Sequence, residues 1–430
     1  MRARRFTLPV AAVATVVVAE AAVWLLRPGG LIDPVPVSEA THFTAAQLER
    51  AHDFRDLQRL IGLGGLAAQG IVLALLVVRP PQAAIARAER LVRGRSLAAA
   101  AVVGAGIAVL IQAAGLPFAA WAHERAADVG LSTQDWGAWL WDRAKSAGVG
   151  VVLAAALAVV FIGLIRRFPR RWWIAGAGAV VAIEIVFVWL APVVLDPLFN
   201  RYEDLPQGRA RAAVTELARK AGVDVGDVLV VDASRRTTAA NAYVGGLGST
   251  KRVVLYDTLL ERFDPAQVDL VVAHELAHVK QRDLARGMTW VAIVALPGMY
   301  VVMLLTRRWG RRAGTDPGSP ASLPALALAL AVLTLSLTVV SNQLSRAVEQ
   351  RADSYSLELT GKPREFVELE RRLALANVSD PDPPSWYRFL FGTHPSTVER
   401  IGIGLTFERR GSGGVSPAAE TAAGDGGGPR

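Results

Sequence analysis

Seven long apolar stretches separated by polar segments organise the chain: Phe6–Leu26, Leu60–Val78, Leu97–Trp121, Ala147–Ile165, Trp172–Leu195, Met288–Leu305 and Leu323–Val340. Each falls within the roughly 17 to 25 residues that a helix needs to cross a hydrocarbon core, so each predicts a transmembrane helix. The sixth carries Pro297 and the seventh is rich in Ala and Leu, so both also fit partly buried helices. The first follows Arg2, Arg4 and Arg5, as a signal peptide would. Its apolar run exceeds a signal h-region and no small-x-small cleavage site follows, so it is expected to be retained.

The polar segments predict a smaller mixed α+β unit. Arg209–Ala221 has helical spacing, Val228–Asp232 reads as a buried strand, and Asn241–Val244 and Arg252–Tyr256 flank Gly245, Gly246 and Gly248 as a hairpin would. Asp264 followed by Pro265 supplies an N-cap and a first-turn proline for a helix running to about Arg286. A helical pattern continues from Ser341 to Thr360, where Gly361 and Pro363 stop it, and a further helix spans Glu365–Asn377. Residues 409–430, rich in Gly, Ala, Ser and Pro, are expected to be disordered. The chain therefore divides into a five-helix membrane region (1–195), a first polar segment (196–287), two more membrane helices (288–340), a second polar segment (341–408) and a tail.

Composition agrees with a membrane protein. Hydrophobic residues make up 52%, charged residues only 20%, and the mean hydropathy is +0.33. The absence of cysteine excludes a disulfide scaffold, a thiol nucleophile and a Cys-ligated metal. The net charge of +9 comes with arginines that flank apolar runs, which suits a lipid bilayer and gives no expectation of a nucleic-acid partner. The N-terminus and the loops 79–96, 166–171 and 306–322 hold 16 Lys and Arg, the short loops 27–59 and 122–146 only 7. That count alone puts the N-terminus in the cytoplasm. Glu20 and Glu184 lie inside spans, where carboxylates usually face a polar interior.

The chemistry concentrates in His274-Glu275-Leu276-Ala277-His278. Spacing i, i+4 puts both imidazoles on one helical face, close enough to share one Zn²⁺. Glu275 points beside the metal, where a base must be to take a proton from water there. Catalytic zinc usually has a third protein ligand, here a His, Asp or Glu. Glu349 and Asp353, one turn apart on the helix after the last span, offer a ligand and an acceptor for the outer N–H of a ligand imidazole, although an ordinary solvated helix face has the same pattern.

His274–His278 followed by Glu349, Ala352 and Asp353 resembles the type I CAAX prenyl endopeptidases, integral-membrane zinc proteases of the gluzincin type. The similarity extends to Gly130-Leu131 with Asp142 and Lys145, to Asp196-Pro-Leu-Phe-Asn-Arg-Tyr202, to Asn241-Ala242-Tyr243, and to His394-Pro395-Ser396 with Glu399-Arg400. The resemblance implies a mainly α, polytopic fold with about seven transmembrane helices around a chamber, a small α+β zinc metallopeptidase domain, and one Zn²⁺ per chain with Glu349 as third ligand. It implies that Asn241, Ala242, Tyr243 and Val244 form an edge strand receiving substrate by β-augmentation, and that His394 and Arg400 stabilise the oxyanion. His42, His52 and His123 have no matched role and are expected to be structural.

The expected activity is hydrolysis of peptide bonds in peptides or lipidated peptides, such as those carrying a C-terminal prenylated CAAX sequence. The alternatives are a quality-control protease or membrane transducer whose zinc domain acts on a non-prenylated partner, and a transporter with a structural zinc. Glu275 argues against the last, because a structural site needs no base. The resemblance puts the zinc site of this cell-membrane protein on the cytosolic side and the N-terminus outside, opposite to the charge count.

Overall fold

Long apolar helices dominate the fold because their backbone groups must be satisfied internally within a bilayer. The structure is a computed structural model and describes residues 7–245 and 252–412. The first helices are Thr7–Leu26 (α1), Ala45–Val78 (α2), Gln82–Leu91 (α3), Ser96–Asp128 (α4), Trp136–Arg167 (α5) and Trp172–Leu190 (α6). The last of these runs through a π-helical turn, Ala191–Leu195, into Asp196–Phe199 (α7). Pro192, which brings no N–H, sits in that turn. The remaining elements are β1 (Tyr202–Asp204), α8 (Arg209–Ala221), β2 (Asp227–Val231), β3 (Ala242–Gly245), β4 (Arg252–Tyr256), α9 (Asp257–Arg262), α10 (Pro265–Lys280), α11 (Asp283–Arg312), α12 (Leu323–Thr360), α13 (Pro363–Ala376), α14 (Ser385–Phe391) and α15 (Thr397–Ser412).

Seven of the described helices are long and apolar enough to cross a membrane. Pro297 lies inside one continuous helix, α11. The seventh span is the first half of α12, whose second half leaves the bilayer as the helix bearing Glu349 and Asp353. Neighbours close a ring: α2 meets α4, then α5, α6, α11 and α12 follow, and α12 returns to α2, with α1 against α11 and α12.

The four strands form one sheet in the order β1-β2-β4-β3, with β2 and β4 parallel and the outer pairs antiparallel. Among the described residues β3 pairs only with β4, at one edge of the sheet. The hairpin turn with Gly246 and Gly248 lies outside the described residues. One core joins the sheet, α8 and α10 to residues from both later and earlier chain, including Leu357, Phe366, Ile403 and Ile32. The segment after α1 is thus part of this unit. Ile32 donates its N–H to Ser354 Oγ at 3.0 Å, and a Cβ on Gly402 would lie 2.3 Å from the Val35 carbonyl, so that contact requires glycine.

Several boundaries differ from expectation: α2, for example, already begins at Ala45 rather than Leu60. The zinc-motif helix stops at Lys280 instead of about Arg286, because Arg282 turns left-handed at φ 55 before α11 begins. Residues 409–412, expected to belong to a disordered tail, close α15, which has Ile401 and Ile403 fully buried. Residues 413–430 of that expectation lie outside the described residues.

Candidate metal centre and active site

α10 is fixed by a reciprocal capping box between Asp264 and Gln267 and by Leu270, Ala273, Leu276 and Ala277, all at most 1% exposed. Burying that stripe leaves His274, Glu275 and His278 on the opposite face, toward α12. His274 Nε2 lies 3.3 Å from His278 Nε2, and Glu349 reaches them at 3.2 Å and 3.9 Å with its two oxygens. The three ligand atoms lie within 4.8 Å of one another.

The outer nitrogens are held from behind. His274 Nδ1 is 2.9 Å from Asp353 Oδ1, and His278 Nδ1 is 3.0 Å from Asp283 Oδ2. Each carboxylate fixes a tautomer that leaves Nε2 a lone pair toward the centre. Asp283 is absent from the sequence reading. It reaches His278 only because the chain reverses at Arg282, a left-handed non-glycine residue that spacing along one helix does not reveal.

The donor set fits a divalent cation: two imidazole nitrogens and one carboxylate. The electrostatics agree. Burial opposes a charged His274, yet its bonds to Asp353 and Glu349 outweigh that and lift its pKa to about 10. The surroundings therefore favour a positive charge at this point. Burial pushes the Glu275 carboxyl up, against His274 and His278, and it accepts a hydrogen bond from the Val244 backbone. Glu275 thus touches the edge strand.

Along β3, the Asn241 carbonyl accepts from Tyr256 N–H at 3.1 Å, so by alternation Ala242 and Val244 turn their N–H groups to the open edge. The Ala242 N–H is taken by the Asn241 side chain at 2.9 Å. Tyr243 faces away and meets the Tyr202 hydroxyl at 3.0 Å.

His394 stands on the loop between α14 and α15, its Nδ1 2.9 Å from Glu349 Oε2 and its side chain 59% exposed. Arg346 and Asn342 on α12 hold that loop through the Gly392 and Leu390 carbonyls. Arg400 lies on α15. Its Nε and Nη2 donate to Asp353 at 2.8 and 2.5 Å, and its Nη1 lies 2.8 Å from Glu370. Two buried carboxylates enclose the guanidinium behind His274. Glu370, 2% exposed, is a second residue the sequence reading missed, since it sits in an ordinary amphipathic pattern on α13.

The other quoted motifs meet at one joint. Arg236 donates to Asp142 and Asn200, each at 2.8 Å, while Lys145 pairs with Asp142 at 2.7 Å and donates to the Leu198 carbonyl. Thr237 and Thr238 donate to the Leu131 and Gly130 carbonyls. This joint docks the sheet on the end of α5. Among the unassigned histidines, His123 stacks on Trp139, and His52 sits 3.4 Å from Asp380.

Residues 204–402 match the family model described as peptidase family M48, and residues 33–201 match that of the CAAX prenyl protease N-terminal, five membrane helices. The chain is 32% identical over 279 residues to an uncharacterized metalloprotease of Bacillus subtilis, covering 64% of this chain and 66% of that protein. It is 26% identical to a CAAX prenyl protease 1 homolog of Oryza sativa, covering 69% and 71%, and 24% identical to CAAX prenyl protease 1 of Saccharomyces cerevisiae, covering 61% and 62%. The matched region thus spans about two thirds of these relatives. The crystal structure of S. mikatae Ste24p superposes with a TM-score of 0.71 at 18% identity, covering 92% of this chain and 98% of that one.

Proposed function

This chain belongs to peptidase family M48 and is an integral membrane metalloprotease, and from that premise we propose that His274, His278 and Glu349 hold one catalytic zinc ion for peptide-bond hydrolysis. The observation that carries this reading is the convergence of three ligand atoms within 4.8 Å beside a half-buried carboxylate, Glu275. When bound, zinc supplies a Lewis acid for the scissile carbonyl and lowers the pKa of the attacking water. Glu275 takes the proton of that water and later delivers it to the leaving amine, a role its raised pKa suits. His394 donates to the developing oxyanion. Arg400 acts at one remove, as a positioning residue that holds Asp353, which in turn holds His274.

Substrate adds a strand to β3, taking the outward Ala242 and Val244 N–H groups from Asn241 and Glu275. We further propose that the substrate is a peptide with a prenylated cysteine near its C-terminus. The relatives named CAAX prenyl proteases and the ring of apolar helices beside the site support this. The metal side is proposed to face the cytosol of the cell membrane, with the N-terminus outside. A reporter fused after Arg430 tests that arrangement.

The decisive experiment compares wild type and Glu275→Gln on a peptide carrying a farnesylated cysteine and on the same peptide without the lipid. Glu275→Gln is expected to keep its zinc and lose activity by about 10² to 10⁴, the range of a general-base contribution. A zinc-loaded variant cleaving at the wild-type rate overturns the mechanism. Equal cleavage of both peptides by wild type overturns the prenyl preference alone.

A further inference from the structure

The membrane face remote from the peptidase unit is built from the segments 79–96, 166–171 and 306–322, which hold 13 arginines and only two acids, Glu89 and Asp316. Among the described residues none of these arginines forms an ion pair, although pairs are abundant at the other end of the molecule. Arg307 donates to the Pro169 carbonyl at 2.9 Å, tying the end of α11 to the α5–α6 loop. The short helix α3 lies on this face with Ile85 and Ala88 buried and its arginines outward, the pattern of an interfacial helix.

A cavity of about 330 Å³ opens here between the last turns of α11 and the following loop, lined by Thr306, Arg307, Arg311, Thr315 and Ser322 among others. Thr306 is 3% exposed and its hydroxyl has no partner. That is unusual in this chain: Thr289, Ser336 and Thr338, also on membrane helices, each donate to the carbonyl four residues back. A buried hydroxyl without a bond loses free energy unless something outside the chain completes it. The Arg166 side chain packs with its Cγ against Gly318, next to Pro317 of the cavity wall.

We propose that this cavity is a binding site for the phosphate of an anionic phospholipid headgroup, with Arg311 supplying the charge and Thr306 a hydrogen bond. Guanidinium forks suit phosphate oxygens, and the cavity lies just beyond the apolar run of α11 that ends at Leu305, where a headgroup would sit. The acyl chains would extend along the exposed apolar helix surfaces. A free phosphate ion offers the same headgroup chemistry without that anchorage, so the two sources are separable.

The test uses the full chain in neutral detergent. Native mass spectrometry measures retention of dioctanoyl-phosphatidylglycerol against dioctanoyl-phosphatidylcholine, with inorganic phosphate as a separate arm. Wild type is expected to retain one phosphatidylglycerol per chain in preference to phosphatidylcholine. Arg311→Gln should weaken that retention roughly fivefold, the scale of one arginine at an anionic headgroup. Thr306→Val, which changes no charge, should weaken it too, whereas Arg312→Gln outside the cavity should weaken it least. Equal retention of the two lipids by wild type, which needs no variant, overturns the proposal. So does a Thr306→Val protein that retains phosphatidylglycerol like wild type, because the arginines would then act only as a diffuse charged patch. Displacement of the lipid by an equal concentration of inorganic phosphate overturns the lipid assignment in favour of a free-ion site.

Discussion

The charges at the two ends of this molecule are arranged in opposite ways. Around His274 almost every charged group has an internal partner: Asp353 is fully buried between His274 and Arg400, Arg400 lies between Asp353 and Glu370, and Asp283 joins His278 to Arg286. On the arginine face no ion pair forms among the described residues. Internal partners fix geometry before any ligand arrives, which a metal centre and a general base require. Charges without internal partners fix nothing by themselves and acquire a role through what binds them.

This contrast is broken most severely at Asp353. Asp353→Ala leaves the Arg400 guanidinium buried against Glu370 alone and frees the His274 ring. Breaking a buried pair in this way costs about 3 to 5 kcal/mol, and loss of a partner behind a ligand typically lowers metal affinity 10- to 100-fold. Thermal unfolding and zinc content of the purified variant measure the two effects. Asp283→Asn, at a more exposed position, should lower zinc affinity with a smaller loss of stability. If Asp353→Ala keeps wild-type zinc affinity, the pair behind His274 does not set the site.

The second test concerns groups that the site does leave for an outside partner, the N–H donors of β3. Ala242→Pro removes one outward N–H and restricts Asn241 before it. It should raise KM and lower kcat together, since a misplaced carbonyl harms binding and the transition state alike. Asn241→Ala only removes the side chain occupying the Ala242 N–H and should cost less. Zinc content and thermal stability near wild type are the controls. Turnover by Ala242→Pro at the wild-type rate means substrate docks elsewhere.

The parts of this architecture that depend on sequence spacing were legible, and those that depend on chain reversals were not. Seven apolar runs of bilayer length emerge as the seven candidate spans. The i, i+4 histidines and the hairpin strands around Asn241–Val244 and Arg252–Tyr256 follow from local patterning, as does the stop of α12 at Gly361, left-handed at φ 66, whereas the edge position of Asn241–Val244 came from the family resemblance. Asp283 was hidden because its position depends on one left-handed residue, Arg282. The true environment of Arg400 was hidden because Glu370 comes from a different helix and no local pattern marks it as buried. Arginines flanking apolar runs were visible, but the orphaned Thr306 hydroxyl beside them required packing to reveal.

Glu370 is the weakest member of the paired network and gives the smallest expected effect. Its Oε1 has no partner, and burial, opposed by Arg400 and assisted by Asp353, lifts its pKa from an ordinary 4.5 to about 7. An acid whose pKa is higher folded than unfolded binds its proton more tightly in the native state, so stability falls as pH rises between those two values. Wild type should therefore lose stability from this group between pH 5 and pH 8. Glu370→Gln preserves shape and an acceptor for Arg400 while removing the titration. The melting temperature of the variant minus that of wild type should thus become more positive across the same interval. Because Glu370 stands one residue further from the metal than Asp353, its effect on kcat/KM should stay below the roughly tenfold lower bound for a direct partner of a ligand. A flat difference between pH 5 and pH 8 would mean that Glu370 is ionised throughout, and that the charge on Arg400 is shared evenly between two carboxylates.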